Sequence, residues 1–541
     1  MTRTIQPGWA ALVVALAAVA VALPALSNGL AYDDVAIVGT DARVRSLGYL
    51  REIFTHGYWA DSDQALYRPI TTLSFALDWS LAPGRTAWFH LTNLLLHAGA
   101  SVLVFRLLLR FFPVAAALVG GLVFAVHPVH VEAWANVVGR AELLATCFAL
   151  AALLLWRPGE TEPRPRRARV LGVGMLALLA VASKEGAIVL PALLLLVDFA
   201  AGELKPGLRA YARATAPGYA AVLIALGIFL AARIAVLGGV TPSAVDPVFE
   251  VARDGWPRLL TALQAWPHYL RLLLFPRTLL ADYAPRVTLP VTGVTPTVLL
   301  GAILLAAAVG GGALTAFTGR RRAALALFWF PLAILPVSNL LFPIGVLVAE
   351  RTLYLPSVAL AIAGAGFFAA LPAARPALRR AATASIAVVL ALFAGRSIVR
   401  APEWDSTDRI IAALVRDRPD SYRGEWHQAR LARMRGDTAR ALAGYERAMQ
   451  LWPWRSRLVM EAAGYAVEAG RTPWARTLAD HAARSWPDRL DAHRLLAATA
   501  LDMGDTASAR GALLQGLVLD PDDEVLRRMR AALAPPDTTG S

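Results

Sequence analysis

The chain has 541 residues, of which 57% are hydrophobic and only 17% are charged, and its mean hydropathy is +0.52. This composition excludes an ordinary soluble protein and indicates one with several membrane-spanning segments. The formal net charge is +14, but many basic residues lie in short connections between apolar runs. That distribution is typical of a membrane protein and argues against a nucleic-acid partner. The single cysteine, Cys147, excludes intramolecular disulfides and multi-cysteine metal sites.

The first apolar run, residues 9–27, predicts a retained membrane helix. Cleavage as a signal peptide is the alternative, but the run exceeds the usual 7–15 residues of a signal-peptide core. Asp33 and Asp34 follow it directly, where the helix would leave the bilayer. A carboxylate inside the hydrocarbon costs roughly 2.5–3.5 kcal/mol, whereas one at the interface stays charged and can accept a proton. The pair either ends a helix or supplies a catalytic base, and it opens a large first loop at 28–86.

The remaining apolar runs predict the other membrane helices, at 87–109, 113–127, 136–156, 170–183, 186–201, 215–237, 295–318, 323–341, 345–371 and 381–398. Segment 258–280 contains Trp266-Pro267-His268 and Arg271, and we interpret it as re-entrant or interfacial. The basic connections should face the cytoplasm; they are Arg157–Arg169, Lys205–Arg213, Arg320–Arg322 and Arg375–Arg380. The prediction is an all-α membrane domain over 1–401 with about eleven helices. Its first loop and the C-terminus then lie on the outer face.

From residue 402 the composition changes to that of a soluble helical protein. Three landmarks recur at a spacing of 34 residues: Gly436, Gly470 and Gly504; Pro453, Pro487 and Pro521; Ala441, Ala475 and Ala509. A 34-residue period with glycine between helices and proline at the end of each unit predicts tetratricopeptide (TPR) repeats. After a linker at 402–421, the repeat domain covers 422–534, with units at 422–455, 456–489 and 490–523. The tail at 535–541 is predicted to be disordered.

Ionisable and polar residues recur at the predicted outer ends of the helices, which makes them functional candidates. Gly139-Arg140-Ala-Glu142 is one such stretch. Other stretches form motifs in a fixed order: Asp33-Asp34-Val-Ala-Ile, Tyr67-Arg68-Pro69, Phe89-His90-x-x-Asn93-x-x-x-His97, His127-Pro-Val-His130-x-Glu132-Ala, Ala182-Ser-Lys184-Glu185, Leu335-Pro336-Val-Ser-Asn339 and Ala349-Glu350-Arg351-Thr-Leu-Tyr354-Leu-Pro356-Ser. This ordered set resembles the transmembrane-and-TPR-repeat-containing family. Those proteins are multi-spanning O-mannosyltransferases of the GT-C glycosyltransferase class. The resemblance covers nearly the whole chain.

The resemblance implies an enzyme that moves a sugar, mannose, from a polyprenyl phosphate to a hydroxyl acceptor outside the cytoplasm. The acceptor is expected to be Ser or Thr of exported proteins. A phosphate leaving group needs cations but no protonation, and the acceptor hydroxyl needs a base. A single inverting displacement therefore requires one carboxylate and a cationic pocket. Asp33 is the favoured base, with Asp34 as its partner or alternate.

The candidates for the lipid phosphate are the basic residues Lys184, Arg351, Arg140 and Arg68. A substrate-loop role is assigned to His127, His130, Glu132, Glu185 and Tyr354. His127, His130 and Glu132 are also the one set of residue types suited to a metal, but Pro128 disfavours a helix with both histidines on one face. No metal or other cofactor is expected. For His90, Asn93 and His97, which share one helix face, interhelical hydrogen bonding is the favoured role.

Three alternatives remain at this stage. The acceptor could be a glycan or a lipid, and the chain could instead be a transporter or a membrane scaffold whose repeats recruit a protein. A transporter should place its ionisable residues near the midplane and have paired halves, whereas these polar groups crowd one face. No Gly-rich nucleotide loop is apparent, which favours a lipid-linked donor. The Ala-, Arg- and Leu-rich composition predicts a bacterial inner-membrane protein with the first loop and repeats in the periplasm.

Overall fold

The computed structural model describes residues 6–59, 66–156, 166–204, 207–239, 248–249, 252, 255–283 and 289–533. Within these ranges every regular element is helical and none is a strand, so the predicted all-α class is confirmed. The basic connection at 157–165, Lys205 and the predicted tail lie outside the described residues. The chain forms two compact units, the first reaching Ala413 and the second consisting mainly of the chain from Leu414 onward.

The α-helices up to the unit boundary are α1 Pro7–Ala22, α2 Leu50–Thr55, α3 Pro69–Leu81, α4 Thr86–Leu108, α5 Val114–Val126, α6 Val131–Ala135, α7 Arg140–Leu155, α8 Arg166–Ser183, α9 Leu190–Ala201, α10 Leu208–Leu237, α11 Gly255–Leu263, α12 Ala265–Leu274, α13 Pro296–Phe317, α14 Arg321–Ile334, α15 Val358–Ala370, α16 Pro376–Arg400 and α17 Thr407–Asp417. Short 3-10 or π turns connect several of them, at Leu23–Ser27, Val35–Thr40, Ala42–Arg45, Leu47–Tyr49, Pro128–His130, Val137–Gly139, Glu185–Val189, Leu335–Val337, Glu350–Leu353 and Ala401–Asp405.

The ends of several helices follow directly from proline and glycine chemistry. Pro7, Pro296 and Pro376 begin their helices, where a missing N–H removes no intrahelical hydrogen bond. Gly202 and Gly238 follow α9 and α10 with φ of 88° and 70°, a left-handed conformation that glycine adopts without penalty.

Six helices in the described part of the chain are long and apolar enough to cross a membrane. They are Pro7–Ser27, Thr86–Leu108, Val137–Leu155, Leu208–Leu237, Pro296–Phe317 and Pro376–Asp405. A seventh span is obtained if Val114–Val126 and Pro128–Ala135, bent by 46°, count as one. The other predicted spans correspond to shorter or more polar helices, α8, α9, α14 and α15. The structure therefore supports a multi-pass membrane protein, and the count of about eleven stays a prediction.

Segment 258–280 is broken into two short helices. Gly255–Leu263 has 9 residues and Ala265–Leu274 has 10, so each is roughly 15 Å long and too short to span a bilayer. The break lies at Gln264. This geometry agrees with the interpretation of 258–280 as something other than an ordinary span.

The core of the first unit lies where α4 packs against α1, α5 and α7. The segment from Pro128 to Gly139 is almost entirely buried and links α5 to α7 through short turns. Its neighbours include the buried Tyr354, whose ring centroid lies 5.1 Å from that of Phe124. The motifs found in the sequence thus converge on one buried region of the first unit.

The second unit consists of three helix pairs followed by one more helix. These are α18 Tyr422–Met434 with α19 Thr438–Leu451, α20 Ser456–Glu468 with α21 Thr472–Ser485, α22 Leu490–Asp502 with α23 Thr506–Leu519, and then α24 Glu524–Ala532. Gly436, Gly470 and Gly504, with φ of 75°, 70° and 72°, lie in the turn inside each pair. Each predicted repeat unit therefore contains one helix pair. Buried alanines at helix contacts, such as Ala441 and Ala475, let the helices approach closely.

Candidate active site

Asp34 connects the first loop to the turn before α7. Its Oδ2 accepts hydrogen bonds from the backbone N–H of Ala31 at 3.3 Å and of Val137 at 3.1 Å, and its Oδ1 accepts one from Val138 at 2.8 Å. The side chain is fully buried. Burial raises the pKa of Asp34 to about 7, although the three backbone hydrogen bonds act in the opposite direction. Asp34 therefore fixes the loop in place and has no surface to offer to a substrate.

Asp33 is only partly buried, and the backbone before it is held in an unusual conformation. Tyr32 has φ of 56°, the left-handed region that non-glycine residues rarely adopt. Two hydrogen bonds hold this stretch: Gly29 N–H donates to the Asp405 carbonyl at 3.0 Å, and Tyr32 N–H donates to Thr407 Oγ1 at 3.0 Å. Strained backbone that the surroundings over-determine is concentrated at functional sites.

The Glu185 carboxylate accepts hydrogen bonds from two arginines that are distant from it in the sequence. Its carboxylate lies 3.0 Å from Arg68 Nε and 3.2 Å from an Arg233 guanidinium nitrogen. The Tyr67 N–H donates to Glu185 Oε1 at 3.3 Å, and the Arg68 guanidinium lies 5.2 Å from the ring centroid of Tyr58. Burial raises the pKa of Glu185, but the charges of Arg68 and Arg233 and the hydrogen bonds to the carboxylate together outweigh burial and leave the pKa below its usual value.

Two more of the four candidate cations, Lys184 and Arg351, are also paired with carboxylates. Lys184 Nζ forms an ion pair with Glu142, and the Arg351 guanidinium forms one with Glu132. The Arg351 backbone N–H adds a second hydrogen bond to Glu132, at 2.9 Å. Glu132 is fully buried, whereas about a fifth of the Arg351 side chain is exposed. Arg351 is therefore anchored on one side and reaches the surface on the other.

The three cations and Asp33 belong to one electrostatic cluster. Burial lowers the pKa of Arg351, but the negative charges of Glu132, Asp33 and Glu142 outweigh it and raise the pKa above its ordinary value. Burial lowers the pKa of Lys184, and the positive charges of Arg68 and Arg351 lower it further. Charges that shift one another's pKa share one electrostatic environment. Asp33 and the predicted phosphate-binding residues Arg68, Lys184 and Arg351 therefore lie in the same region of the first unit.

A small cleft, partly open to solvent, lies beside this cluster. Glu142, Thr146, Lys184 and Thr352 provide its polar lining. Ala187, Ala333, Val337, Leu355 and Pro356 are among the residues that provide the apolar part. A cleft with one charged end and apolar walls fits a ligand that is itself part anion and part hydrocarbon.

Arg140, which the sequence predicted to bind the lipid phosphate, lies in the core. Its side chain has no exposed surface and forms an ion pair of 2.6 Å with Asp78. Its Nε donates to Asn93 Oδ1 at 2.7 Å, and its remaining nitrogens donate to Ser74 and to the Phe89 carbonyl. A buried guanidinium with these partners holds helices together and leaves no donor for a ligand.

His127 and His130, predicted to belong to a substrate loop, are also buried. His127 Nε2 lies 2.9 Å from the Leu273 carbonyl oxygen, and its Nδ1 accepts from Val129 N–H at 3.2 Å. His130 Nδ1 lies 2.9 Å from the Phe124 carbonyl oxygen, and its Nε2 lies 2.7 Å from Ser357 Oγ. Every ring nitrogen thus faces a protein group. The two histidines shape the core beneath the site and do not line its surface.

Tyr354, the last predicted substrate-loop residue, belongs to the same buried network. Its hydroxyl lies 2.8 Å from His97 Nδ1, and His97 Nε2 lies 3.0 Å from the Ala125 carbonyl oxygen. Asn93 donates to the carbonyl oxygens of Asn136 and Val137 at 3.2 Å, in agreement with the predicted interhelical role. Among the described residues, no group of three or more His, Cys, Asp or Glu side chains is placed to hold a metal ion.

Sequence reasoning missed three residues of this region. Tyr58 lies under Arg68, Arg233 pairs with Glu185, and Asp78 neutralises Arg140. A signal existed for Arg233, because a lone arginine inside the apolar run 215–237 is a functional candidate by default. Nothing in the sequence connects Tyr58 or Asp78 to their partners.

No family model matches the chain. Several animal proteins are nevertheless similar to it over most of its length. The protein O-mannosyl-transferase F38B6.6 of Caenorhabditis elegans is 26% identical over 443 residues, covering 80% of this chain and 61% of that protein. Human TMTC4 is 26% identical over 478 residues, covering 76% of this chain and 62% of that protein. Drosophila melanogaster Tmtc3 is 29% identical over 403 residues, covering 61% of this chain and 43% of that protein.

The chain is a relative of the TMTC protein O-mannosyl-transferases. The resemblance inferred from the motifs is thereby confirmed. The chain spans less than two thirds of the length of each TMTC relative named above. These TMTC relatives are animal proteins, so they give no support to the predicted bacterial inner membrane.

Among solved structures, the Archaeoglobus fulgidus oligosaccharyltransferase in its apo form overlaps with 74% of this chain and 56% of its own. The TM-score is 0.42 and the sequence identity 12%. At that TM-score the overlap does not establish a common fold, and the GT-C-type bundle stays a prediction.

Proposed function

We propose that the chain is a membrane glycosyltransferase that moves mannose from a polyprenyl-phosphate donor to a hydroxyl acceptor, Ser or Thr of exported proteins. The observation that carries the proposal is the electrostatic interaction of Asp33, a partly exposed carboxylate, with Arg351 in a cluster that also contains Arg68 and Lys184. The TMTC relatives are named as protein O-mannosyl-transferases, which supports the sugar and the acceptor class.

The reaction is a single displacement at the anomeric carbon. The acceptor oxygen forms the new bond to that carbon while the bond to the lipid-phosphate oxygen breaks with inversion. Asp33 takes the acceptor proton, and the phosphate leaves with the electron pair. Because the leaving group needs no proton, the protein must supply only positive charge around it. Arg351, Lys184 and Arg68 supply that charge.

Binding of the donor must rearrange the cluster, because each of these cations is already paired with a carboxylate. Lys184 is the best placed to change partners, since both it and Glu142 line the cleft. In the proposed complex the phosphate takes over Lys184, and the apolar walls of the cleft receive the first part of the polyprenyl chain. Arg351 keeps its bond to the buried Glu132 and turns its exposed edge to the ligand.

The adjacent aspartates have separate roles in this proposal. Asp34 is a positioning residue, because its carboxylate binds three backbone N–H groups and is fully buried. Asp33, directly beside it, is the catalytic base. Arg140, His127, His130 and Tyr354 support the site from within the core.

The remaining parts of the proposal concern the architecture. The membrane domain is a GT-C-type bundle of about eleven helices, with the site on the non-cytoplasmic face. The second unit is a TPR array of three helix pairs, which presents a protein acceptor or recruits a partner. The 34-residue spacing of its glycines and the positive φ at each of them support this assignment.

The test is transfer of radiolabelled mannose from polyprenyl-phosphate-mannose by purified protein, with an extract of exported proteins as acceptor. Asp33→Asn should lower the rate about 10²–10⁴-fold, which is the usual contribution of a general base, and leave the thermal stability unchanged. Asp408→Asn, which changes an exposed carboxylate of the same unit, is the matched control and should retain full activity. Addition of EDTA should have no effect.

Three outcomes would contradict the proposal. If Asp33→Asn transfers mannose as fast as wild type, Asp33 is not the base. If wild type transfers mannose to a lipid or glycan and to no protein, the acceptor is wrong. If it uses no lipid-linked sugar and the Asp33 variant still complements a deletion strain, the scaffold alternative replaces the enzyme.

A further inference from the structure

A second cleft lies at the opposite end of α8 from Lys184. It is a small cleft, partly open to solvent, between the end of α7, the first turns of α8 and the early part of α10. Its lining includes Trp156, Arg166, Arg169, Thr215 and Gly218. Because α8 has 18 residues and is therefore about 27 Å long, this cleft is remote from the proposed active site.

The walls of this second cleft are held in place by specific contacts. The Trp156 indole N–H donates to Asp198 Oδ2 at 2.7 Å, and the Tyr211 hydroxyl donates to the same oxygen at 2.8 Å. A Cβ at Gly218 would lie 2.3 Å from the Trp156 ring, so only glycine lets α10 approach the indole this closely. The Trp156 ring, which forms the aromatic wall of the cleft, is therefore fixed by its close contact with α10.

The charge of the cleft is positive. Arg166 donates one hydrogen bond, to the Ala214 carbonyl at 3.0 Å, and in the described part of the chain neither Arg166 nor Arg169 forms an ion pair with a carboxylate. The nearby carboxylate, Asp198, is already bound to Trp156 and Tyr211. The guanidiniums thus retain donors suited to a phosphate, which they bind in a bidentate manner.

The position of the cleft favours a lipid over a soluble anion. The cleft lies at one end of the candidate membrane span Val137–Leu155, where a spanning helix meets the lipid head groups. Val170 continues the lining from the arginines onto the apolar part of α8. Basic pockets between membrane helices bind the head groups of anionic lipids.

We propose that the cleft between α7, α8 and α10 binds the phosphate head group of an anionic phospholipid through Arg166 and Arg169. The lipid is distinct from the sugar donor and binds at the other end of the bundle. Its binding stabilises the junction of α7, α8 and α10, where the two arginines form no ion pair with any of the described residues.

The experiment measures phospholipid binding to the purified full-length chain in detergent, by native mass spectrometry, with phosphatidylglycerol and phosphatidylcholine as probes. Wild type should bind phosphatidylglycerol preferentially and gain thermal stability from it. The double variant Arg166→Ala/Arg169→Ala should bind phosphatidylglycerol roughly 25-fold more weakly, because each basic residue near an anionic lipid contributes about fivefold.

Arg167→Ala is the matched control, since Arg167 is an exposed arginine of the same turn that does not line the cleft. It should bind phosphatidylglycerol like wild type, and Arg166→Lys/Arg169→Lys should retain most of the binding. A third arm uses glycerol 3-phosphate and inorganic phosphate, which should compete only weakly. The proposal is overturned if the alanine double variant binds phosphatidylglycerol like wild type, or if free phosphate competes as well as the lipid does.

Discussion

Asp33 and Asp34 are neighbours in sequence, yet the fold gives them different environments. Asp34 is buried and accepts hydrogen bonds from the backbone N–H groups of Ala31, Val137 and Val138. The negative charge of Asp33 instead raises the pKa of Arg351. The αR conformation of Asp34, with φ of −60° and ψ of −35°, starts the following π turn. The local backbone conformation thus buries the carboxylate of Asp34 and leaves that of Asp33, the candidate base, partly exposed.

Asp34 should make the stability of the chain depend on pH. Burial raises its pKa from 3.8 to about 7, so the folded state keeps a proton that the unfolded state has already lost in this range. Stability relative to Asp34→Asn should therefore fall as pH rises from about 4 to 7, by at most about 1.4 kcal/mol per pH unit. Apparent melting temperatures of both proteins between pH 5 and 8 measure this. A constant difference across the range would disprove the assignment.

The ion pair between Glu132 and Arg351 should matter far more than a surface pair. Glu132→Gln leaves the guanidinium and backbone N–H of Arg351 without their anionic acceptor, and breaking such a buried pair costs about 3 kcal/mol. Glu524→Gln removes the carboxylate of the exposed pair with Arg528 and should cost less than about 1 kcal/mol. Denaturation of the two variants in detergent compares them. Equal stabilities would show that the buried pair is dispensable.

At the scale of elements, the sequence predicted the helices and repeats that follow from local residue patterns. The apolar run at 9–27 is a helix, and the 34-residue spacing of Gly436, Gly470 and Gly504 corresponds to three helix pairs. It did not predict the burial of Arg140 and His130, because a polar residue at the end of a predicted helix can face water or face a neighbour. Only packing decides which, and packing joins segments that are distant in the chain.

The pairing of the site's charges could not be predicted for the same reason. Lys184 stands next to Glu185 in sequence, which suggests a local pair, yet its partner is Glu142 from α7. Glu185 instead forms ion pairs with Arg68 and Arg233. The motifs identified the groups that meet, whereas the assignment of partners required the three-dimensional arrangement.

The contact between α5 and α15 should be intolerant of one methyl group. A Cβ at Gly120 would lie 2.4 Å from the Ala361 carbonyl oxygen, so Gly120→Ala forces the two helices apart at a cost of about 1–3 kcal/mol. Gly99, in α4, has no atom within 4 Å of its Cβ position, and Gly99→Ala should instead stabilise the helix by about 0.5–1 kcal/mol. Melting temperatures should therefore move in opposite directions. A loss at Gly99 equal to that at Gly120 would contradict the packing.

At the scale of the whole molecule, the proposed site is close to electrically neutral before any ligand binds. Its four acidic groups and four basic groups are Asp33, Glu132, Glu142 and Glu185, and Arg68, Lys184, Arg233 and Arg351. A phosphate therefore adds negative charge that the existing pairs do not compensate. In the proposed reaction the phosphate replaces a carboxylate, so donor binding would be coupled to the release of Glu142 from Lys184.

The second unit should fold without the membrane domain. It has its own buried core, in which Tyr422, Tyr445 and Val459 are fully buried, and its helix pairs pack against one another in chain order. A fragment of residues 407–541, which keeps α17 intact, should be soluble without detergent, strongly helical by circular dichroism and cooperative in thermal unfolding. Within it, Gly470→Ala should cost about 1 kcal/mol because φ is 70° there.

Gly464→Ala is the control for this fragment, since Gly464 lies inside α20 with open space at its Cβ position. It should leave the melting temperature unchanged or raise it slightly, because alanine favours the helix. A fragment with a coil spectrum would mean that the second unit needs the rest of the chain to fold. A cooperative fragment in which both glycine variants melt alike would mean that the turn at Gly470 is not the constraint on this repeat.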